Sequence, residues 1–336
     1  MYCILSFTSL KSLKESQIEE EIKKIQNLPD NNPNKIIKLS TDVYRIAKNI
    51  RYKKGVLEIN SFLINKYCEI GNFKKAIELC NEIEKLAGKN DTMLVNSHRY
   101  KASAYIELNS NNRSLQELKK ALEVADKIEL QNDKNYMKAL VYKEFATYFS
   151  HVNASIDSVM YYQNKCLKTA MNIDDDKDFQ ERKYHTLAVA YMNLGVMNTA
   201  LGNTEETISK LSRALEICQN EKYHIHKDLE VSILNEFAWM YYERRKYDKS
   251  VRYANQAERE EKKVGIPYVR RDIYEISFKA YSALKQEAPA RKYTNLYIKL
   301  NDSLVNVEKN GVNNNRKESV IGKQTGDTET KQGNIS

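Results

Sequence analysis

Apolar residues recur along this chain three and four positions apart, the period of amphipathic helices. In Glu117–Ile128, Leu118, Ala121, Leu122, Val124, Ala125 and Ile128 are interleaved with Lys, Glu and Asp. Ser16–Leu28 predicts one helix. Asn32-Pro33 starts a second that runs to about Asn49, with Ile36, Ile37, Val43, Tyr44 and Ala47 at helical spacing. Pro33 suits a first helical turn, where its missing N–H is not needed. Residues 15–56 therefore read as a degenerate capping hairpin. Ahead of them, residues 1–14 carry an apolar patch: Tyr2, Cys3, Ile4, Leu5 and Phe7. It has no preceding basic residue and is too short for a secretory signal. It reads either as a frayed or packed first helix or as the remnant of a signal peptide whose start lies upstream of Met1. Residues 306–336 hold few apolar residues and no aromatic, which predicts a disordered tail.

Between these ends a pattern repeats six times over residues 57–305. A small residue is followed three positions later by an aromatic, then a turn, another small residue, and a late small position near the end of the next helix. The first copy is Ile64–Tyr67, a turn at Gly71-Asn72-Phe73, Ala76 and Ile83. The second is Ala102–Tyr105, a turn at 109–112, Ser114 and Ala121-Leu122. The third is Ala146–Phe149, a turn at 151–154, Val159 and Cys166-Leu167. The fourth has Leu194-Gly195, Gly202-Asn203, Thr207 and Ala214-Leu215; the fifth has Ala238–Tyr241, a turn at 244–247, Ser250 and Ala257. The sixth has Phe278–Tyr281, a turn at 285–287, Ala290 and Tyr297-Ile298.

This is the pattern of a helical hairpin. The small residue admits the second helix closely, and the aromatic on the same face fills the gap. One hairpin cannot bury its apolar face alone, so several must stack. The chain resembles a tetratricopeptide repeat array, most closely at Tyr191-Met192-Asn193-Leu194-Gly195 through Ala214-Leu215. Asn198 stands there in place of the usual aromatic, Phe278 occupies a small slot in the sixth copy, and the family's common terminal Pro is missing. The resemblance implies an all-α, right-handed α-solenoid of stacked helix-turn-helix hairpins. The late small positions fall at 83, 121, 166, 214, 257 and 297, intervals of 38, 45, 48, 43 and 40 residues. The standard repeat is 34 residues, so longer helices or longer inter-repeat loops are expected, with helix extension favoured.

Composition narrows the classes. With 10 Gly and 4 Pro in 336 residues, a β sandwich or barrel, which needs frequent turn residues, is excluded. No G-x-x-x-x-G-K or G-x-G-x-x-G phosphate loop occurs, and no run of 18 apolar residues provides a membrane span. The five cysteines, Cys3, Cys68, Cys80, Cys166 and Cys218, form no C-x-x-C pair and no disulfide framework. Those inside helical patterns act as small apolar fillers. The formal charge of +9 permits weak attraction to anionic partners, but Lys53-Lys54, Arg244-Arg245-Lys246 and Arg270-Arg271 are short clusters read as solvated helix surface.

No residue constellation signals catalysis, a metal or a cofactor. Asp174-Asp175-Asp176 and Asp178 lack the Gly and the ligand spacing of a calcium loop and read as an inter-repeat loop. His224-x-His226 lacks a third ligand. His98, His151 and His185 are isolated in sequence. The expected site is instead the concave surface that the first helix of each hairpin lines in the family. Aligning the helices puts Arg99, Lys143, Met192, Asn235, Trp239, Tyr242 and Lys279 near that face, together with Asn65, Ser103, Thr147 and Val196. Trp239, the sole Trp, follows the small Ala238 and points away from the hairpin interior. It serves either as packing against a neighbouring helix or as an aromatic anchor for a peptide. The Lys/Asn/Arg clamp of the chaperone-binding subset does not line up, beyond Asn65.

The expected function is a non-enzymatic scaffold that binds a protein or peptide segment in the groove, with no cofactor and no nucleic acid contacted by this chain. Tyr297–Leu304 is similar to the last repeat of bacterial signalling proteins in which such an array precedes an AraC-type output domain or a histidine kinase. That likeness implies either a sensory part lacking its output domain or a free-standing relative of such arrays. The alternative is a cytoplasmic peptide-responsive regulator of another protein. The compartment reads as cytoplasmic, or periplasm-facing if the true start lies upstream.

Overall fold

The computed structural model describes residues 2–28 and 33–306, with side chains from residue 14. The expected tail from 307 onward and the side chains of the N-terminal patch lie outside the described residues. The described residues fall into two units, one up to Glu129 and one from Leu130. Every regular element in both is helical.

The first unit holds α1 (Tyr2–Gln26), α2 (Pro33–Asn49), α3 (Lys53–Glu69), α4 (Phe73–Ala87), α5 (Asp91–Glu107) and α6 (Asn111–Asp126). The helix expected from Ser16 starts earlier, at Tyr2, because no Gly or Pro interrupts residues 2–26; α2 starts at the expected Pro33. Ile18, Ile22 and Ile25 of α1 join Ile36, Val43 and Ala47 of α2 in a core that continues through Ile59, Leu63 and Ile64 of α3 to Ala76, Cys80 and Ile83 of α4. Asn72 and Asn90 cap α4 and α5, their side chains accepting from the N–H of Lys75 and Met93. Each thereby satisfies a donor that a helix start leaves open.

The second unit holds α7 (Gln131–His151), α8 (Ile156–Met171), α9 (Gln180–Ala200), α10 (Thr204–Gln219), a 3₁₀ turn at Glu221–Tyr223, α11 (Lys227–Glu243), α12 (Tyr247–Val264) and α13 (Pro267–Ala283), then α14 over residues 287–306. The long repeat intervals have two sources here. α7 and α9 each run 21 residues, and the loops 172–179 and 220–226 add length.

The six hairpin turns are built alike. Each contains one residue of positive φ: Gly71 (73°), Asn109 (54°), Asn153 (51°), Gly202 (81°), Arg245 (56°) and Lys285 (58°). The next N–H along the chain donates to the carbonyl five residues back, which belongs to the aromatic slot: Asn72 to Tyr67, Ser110 to Tyr105, Ala154 to Phe149, Asn203 to Asn198, Lys246 to Tyr241 and Gln286 to Tyr281, at 2.8–3.0 Å. This is the bond of a Schellman helix stop. Only two of the six positions are glycine, so the scarcity of glycine is met by Asn, Arg and Lys in the left-handed region.

The small positions expected after the turns, Ala76, Ser114, Val159, Thr207, Ser250 and Ala290, are all buried. Asn198, standing in an aromatic slot, is buried too; it donates to the Leu194 carbonyl at 2.8 Å and accepts from the Asn203 amide at 3.3 Å. Phe278 is only half-buried and packs on Tyr297 at 5.5 Å between ring centroids.

Candidate functional site

On α11 the side chains at 236, 239 and 243 succeed one another on one face, three and four residues apart. Trp239 meets Tyr242 edge-on, with ring centroids 6.1 Å apart and planes at 83°. Lys279 of α13 places its ammonium 4.8 Å from the centre of the Trp239 ring, a cation–π contact. The same ammonium is held by Glu275 at 2.6 Å. Behind Trp239 lie Ala238, Ala254 and Ile276, all buried. One side of the indole therefore packs on the hairpin, while Trp239, Tyr242 and Lys279 each keep part of their surface exposed. The packing expected of Trp239 against a neighbouring helix is present on that side.

Glu236 stands one turn before Trp239. Burial pushes its carboxyl up, and the nearby carboxylates of Asp272 and Glu243 push it further, to about 7. No cation pairs with it among the described residues.

The remaining expected site residues are placed differently. Lys143 on α7 is half-buried, 3.4 Å from Glu144. Met192 on α9 is half-buried. Asn235 is 6% exposed, and its Oδ1 has no hydrogen-bond partner. Arg99 belongs to the first unit, is 8% exposed, and donates to Asn96 Oδ1 at 2.7 Å. Trp239, Tyr242 and Lys279 are thus brought together, and Arg99 and Asn235 are held inside.

The first unit has a feature that sequence patterning does not reveal. A cavity of about 850 Å³ is lined by Lys53, Lys54, Leu57, Glu58, Ser61, Phe62 and Asn65 of α3, by Met93 and Tyr100 of α5, and by Asn90 and Gln26. Of these only Asn65 falls on the groove expected from sequence. Lys53 and Lys54 read from sequence as solvated helix surface, and Leu57, Phe62 and Met93 carry no motif that sets them apart from other apolar helix positions.

His98, isolated in sequence, is part of a charged cluster. Its Nδ1 lies 2.7 Å from Glu117 and 3.5 Å from Glu84. These three residues offer ligand atoms within 4.8 Å of one another. Lys101 stands among them, 2.8 Å from Glu84 and 3.1 Å from Glu117. An ammonium already supplies the positive charge these carboxylates need, so the group reads as an ion-pair network linking α4, α5 and α6. Burial raises the Glu117 carboxyl, but hydrogen bonds from His98, Lys120 and Lys101 outweigh it and hold it down at about 2.

The acidic loop serves its own fold. Asp176 accepts from the N–H groups of Asp178 and Phe179 and from Asn132; Asp175 accepts from Tyr184 at 2.8 Å. His226 is exposed beside Asp228, 2.9 Å away. Burial pushes the thiols of Cys80 and Cys218 up to about 12, leaving them unreactive at neutral pH. No described helix is long and apolar enough to cross a membrane.

Residues 186–259 match the sequence profile of the tetratricopeptide repeat, a span running from α9 to α12. Over that span the chain carries tetratricopeptide repeats, and the other described hairpins share their fold. Solved structures agree on the fold. BtubC (BKLC) from P. vanneervenii superposes with a TM-score of 0.57 at 14% identity, over 70% of this chain and 90% of that one. The signal transduction ATPase with numerous domains (STAND) protein with a tetratricopeptide repeat sensor, from Pyrococcus horikoshii, gives 0.57 at 19% identity over 89% of this chain; the match spans 48% of that protein. Aspartyl phosphate phosphatase F from Bacillus subtilis gives 0.55 at 12% identity, over 93% and 82%. No curated protein matches the chain in sequence.

Proposed function

We propose that this chain is a non-enzymatic repeat scaffold that holds a protein or peptide segment on the first-helix face of its hairpins. The observation that carries the reading is the Trp239–Tyr242–Lys279 assembly. Two aromatic rings and a cation from α11 and α13 share one half-exposed patch, backed by a packed hairpin. Trp and Tyr dominate binding hot spots because they bury large rigid surfaces. Lys143 and Met192 present further surface on α7 and α9. Residues 15–56 serve in this reading as the cap of the first unit. A sensory role within a signalling regulator belongs to the same proposal; its support is the likeness in fold to a STAND protein whose repeats are named a sensor.

The test is affinity capture from the native cell with wild type, Trp239→Ala and Lys279→Glu, each checked for unchanged helix content. The expected result is a partner retained by wild type and reduced at least tenfold by either substitution, the loss of about 1.4 kcal/mol of binding. Equal retention by all three chains would remove the Trp239 face as the site.

A further inference from the structure

We propose that the cavity between α3 and α5 binds a small amphipathic carboxylate, an aliphatic body ending in a carboxylate head. The site is distinct from the Trp239 face. Its volume of about 850 Å³ falls in the range of small-molecule sites, roughly 300–1,000 Å³. The apolar part of its wall is Leu57, Phe62, Met93 and Tyr100. Phe62, Met93 and Tyr100 pack from outside on the buried core of the unit, so a hydrocarbon chain laid there extends that core and leaves water.

The charge is gathered where α3 begins. Its first turn has no acidic residue and instead carries Lys53 and Lys54, both lining the cavity. Cations at a helix N-terminus oppose the helix dipole, which favours an anion there. Lys54 is relieved by Glu19 at 2.8 Å. Lys53, exposed to solvent, has no ion-pair partner among the described residues; the one carboxylate in the cavity wall, Glu58, acts on Lys54. Its ammonium stands 3.9 Å from where a Cβ would sit on Gly88, in the turn that leads to α5. Asn90, the cap of α5, also lines the cavity. An exposed ammonium with no carboxylate paired to it, at the edge of an apolar wall, is complementary to a carboxylate with an aliphatic tail.

The test is calorimetric titration of the full chain with dodecanoate below its micelle concentration. Controls are dodecyltrimethylammonium, which has the same tail and opposite charge, and a short acidic peptide. The expected result is one saturable dodecanoate site, weakened by added salt, with the cationic amphiphile bound at least fivefold more weakly. Lys53→Gln is expected to weaken dodecanoate about threefold, as a partly exposed charge pair does, and Lys53→Arg to preserve it. Ser61→Trp, which fills the cavity from a partly exposed position, is expected to abolish binding with the melting temperature retained, and Trp239→Ala to leave it unchanged. The proposal is overturned by an absence of saturable binding, by equal affinity for both amphiphiles, by full affinity in Lys53→Gln and Ser61→Trp, or by saturation with the peptide alone.

Discussion

A Cβ placed on Gly195 would stand 2.7 Å from Leu211 Cδ2 and 2.8 Å from its Cγ. Leu211 is 1% exposed, so it has little room to retreat. Gly195 therefore sets how closely α9 and α10 approach. Replacing glycine inside a helix by alanine gains about 1 kcal/mol in propensity, whereas overpacking a core costs about 1–3 kcal/mol. The overlap wins here because it reaches the branch point of Leu211. Gly195→Ala is expected to lower stability by about 1 kcal/mol, and Gly195→Leu by more than about 3 kcal/mol, in urea unfolding.

The fifth hairpin closes through a hydrogen bond. Ser250, fully buried, donates from Oγ to the Ala238 carbonyl at 2.8 Å. Ser250→Ala keeps the close approach and loses the bond, an expected cost of about 1 kcal/mol. Ser250→Leu is expected to be worse than the alanine variant, through overpacking. If the two variants melted alike, steric closeness would not be what selects a small residue there.

Much of this architecture is legible in the sequence because it is local. The turn positions and the small residues after them depend on spacing within a single hairpin. Asn198 and the left-handed Arg245 and Lys285 depart from the family's residue types but keep its geometry, since a polar side chain or a long one with positive φ can make the same turn. The site is less legible. Trp239 and Lys279 are 40 positions apart and meet only once α11 and α13 pack. Arg99 aligns with the groove, yet it is buried against Asn96. The His98 cluster draws on α4, α5 and α6, and no spacing rule joins those residues.

The Glu117 cluster makes stability sensitive to acid. With its folded carboxyl near 2 and the ordinary value at 4.5, Glu117 contributes fully above about pH 4.5. That contribution is lost as pH falls from 4.5 toward 2, on the order of 2 kcal/mol. Glu117→Gln is expected to destabilise the chain at pH 7 and to flatten the acid limb between pH 4.5 and 2 in thermal melts.

Glu236 works in the opposite sense. Its folded value near 7 lies above the ordinary 4.5, so the folded chain holds a proton that the unfolded chain releases. Stability is expected to fall as pH rises from 4.5 through 7 and to level off above. Glu236→Gln removes the titration and is expected to stabilise the chain at pH 8, on the order of 2 kcal/mol, with little change at pH 4.5. An unchanged melting temperature at pH 8 would show that the carboxylate is solvated there.

Docking of a partner on the first-helix face at Trp239 is decided by site-specific photocrosslinking in the native cell. A benzoylphenylalanine replaces either Tyr242, beside Trp239, or Arg213, exposed on the second helix of the preceding hairpin. Position 242 is expected to yield a discrete crosslinked partner that disappears in the Trp239→Ala background, and position 213 is expected to yield none. Crosslinking that is equal at both positions, or confined to 213, would rule out docking at Trp239.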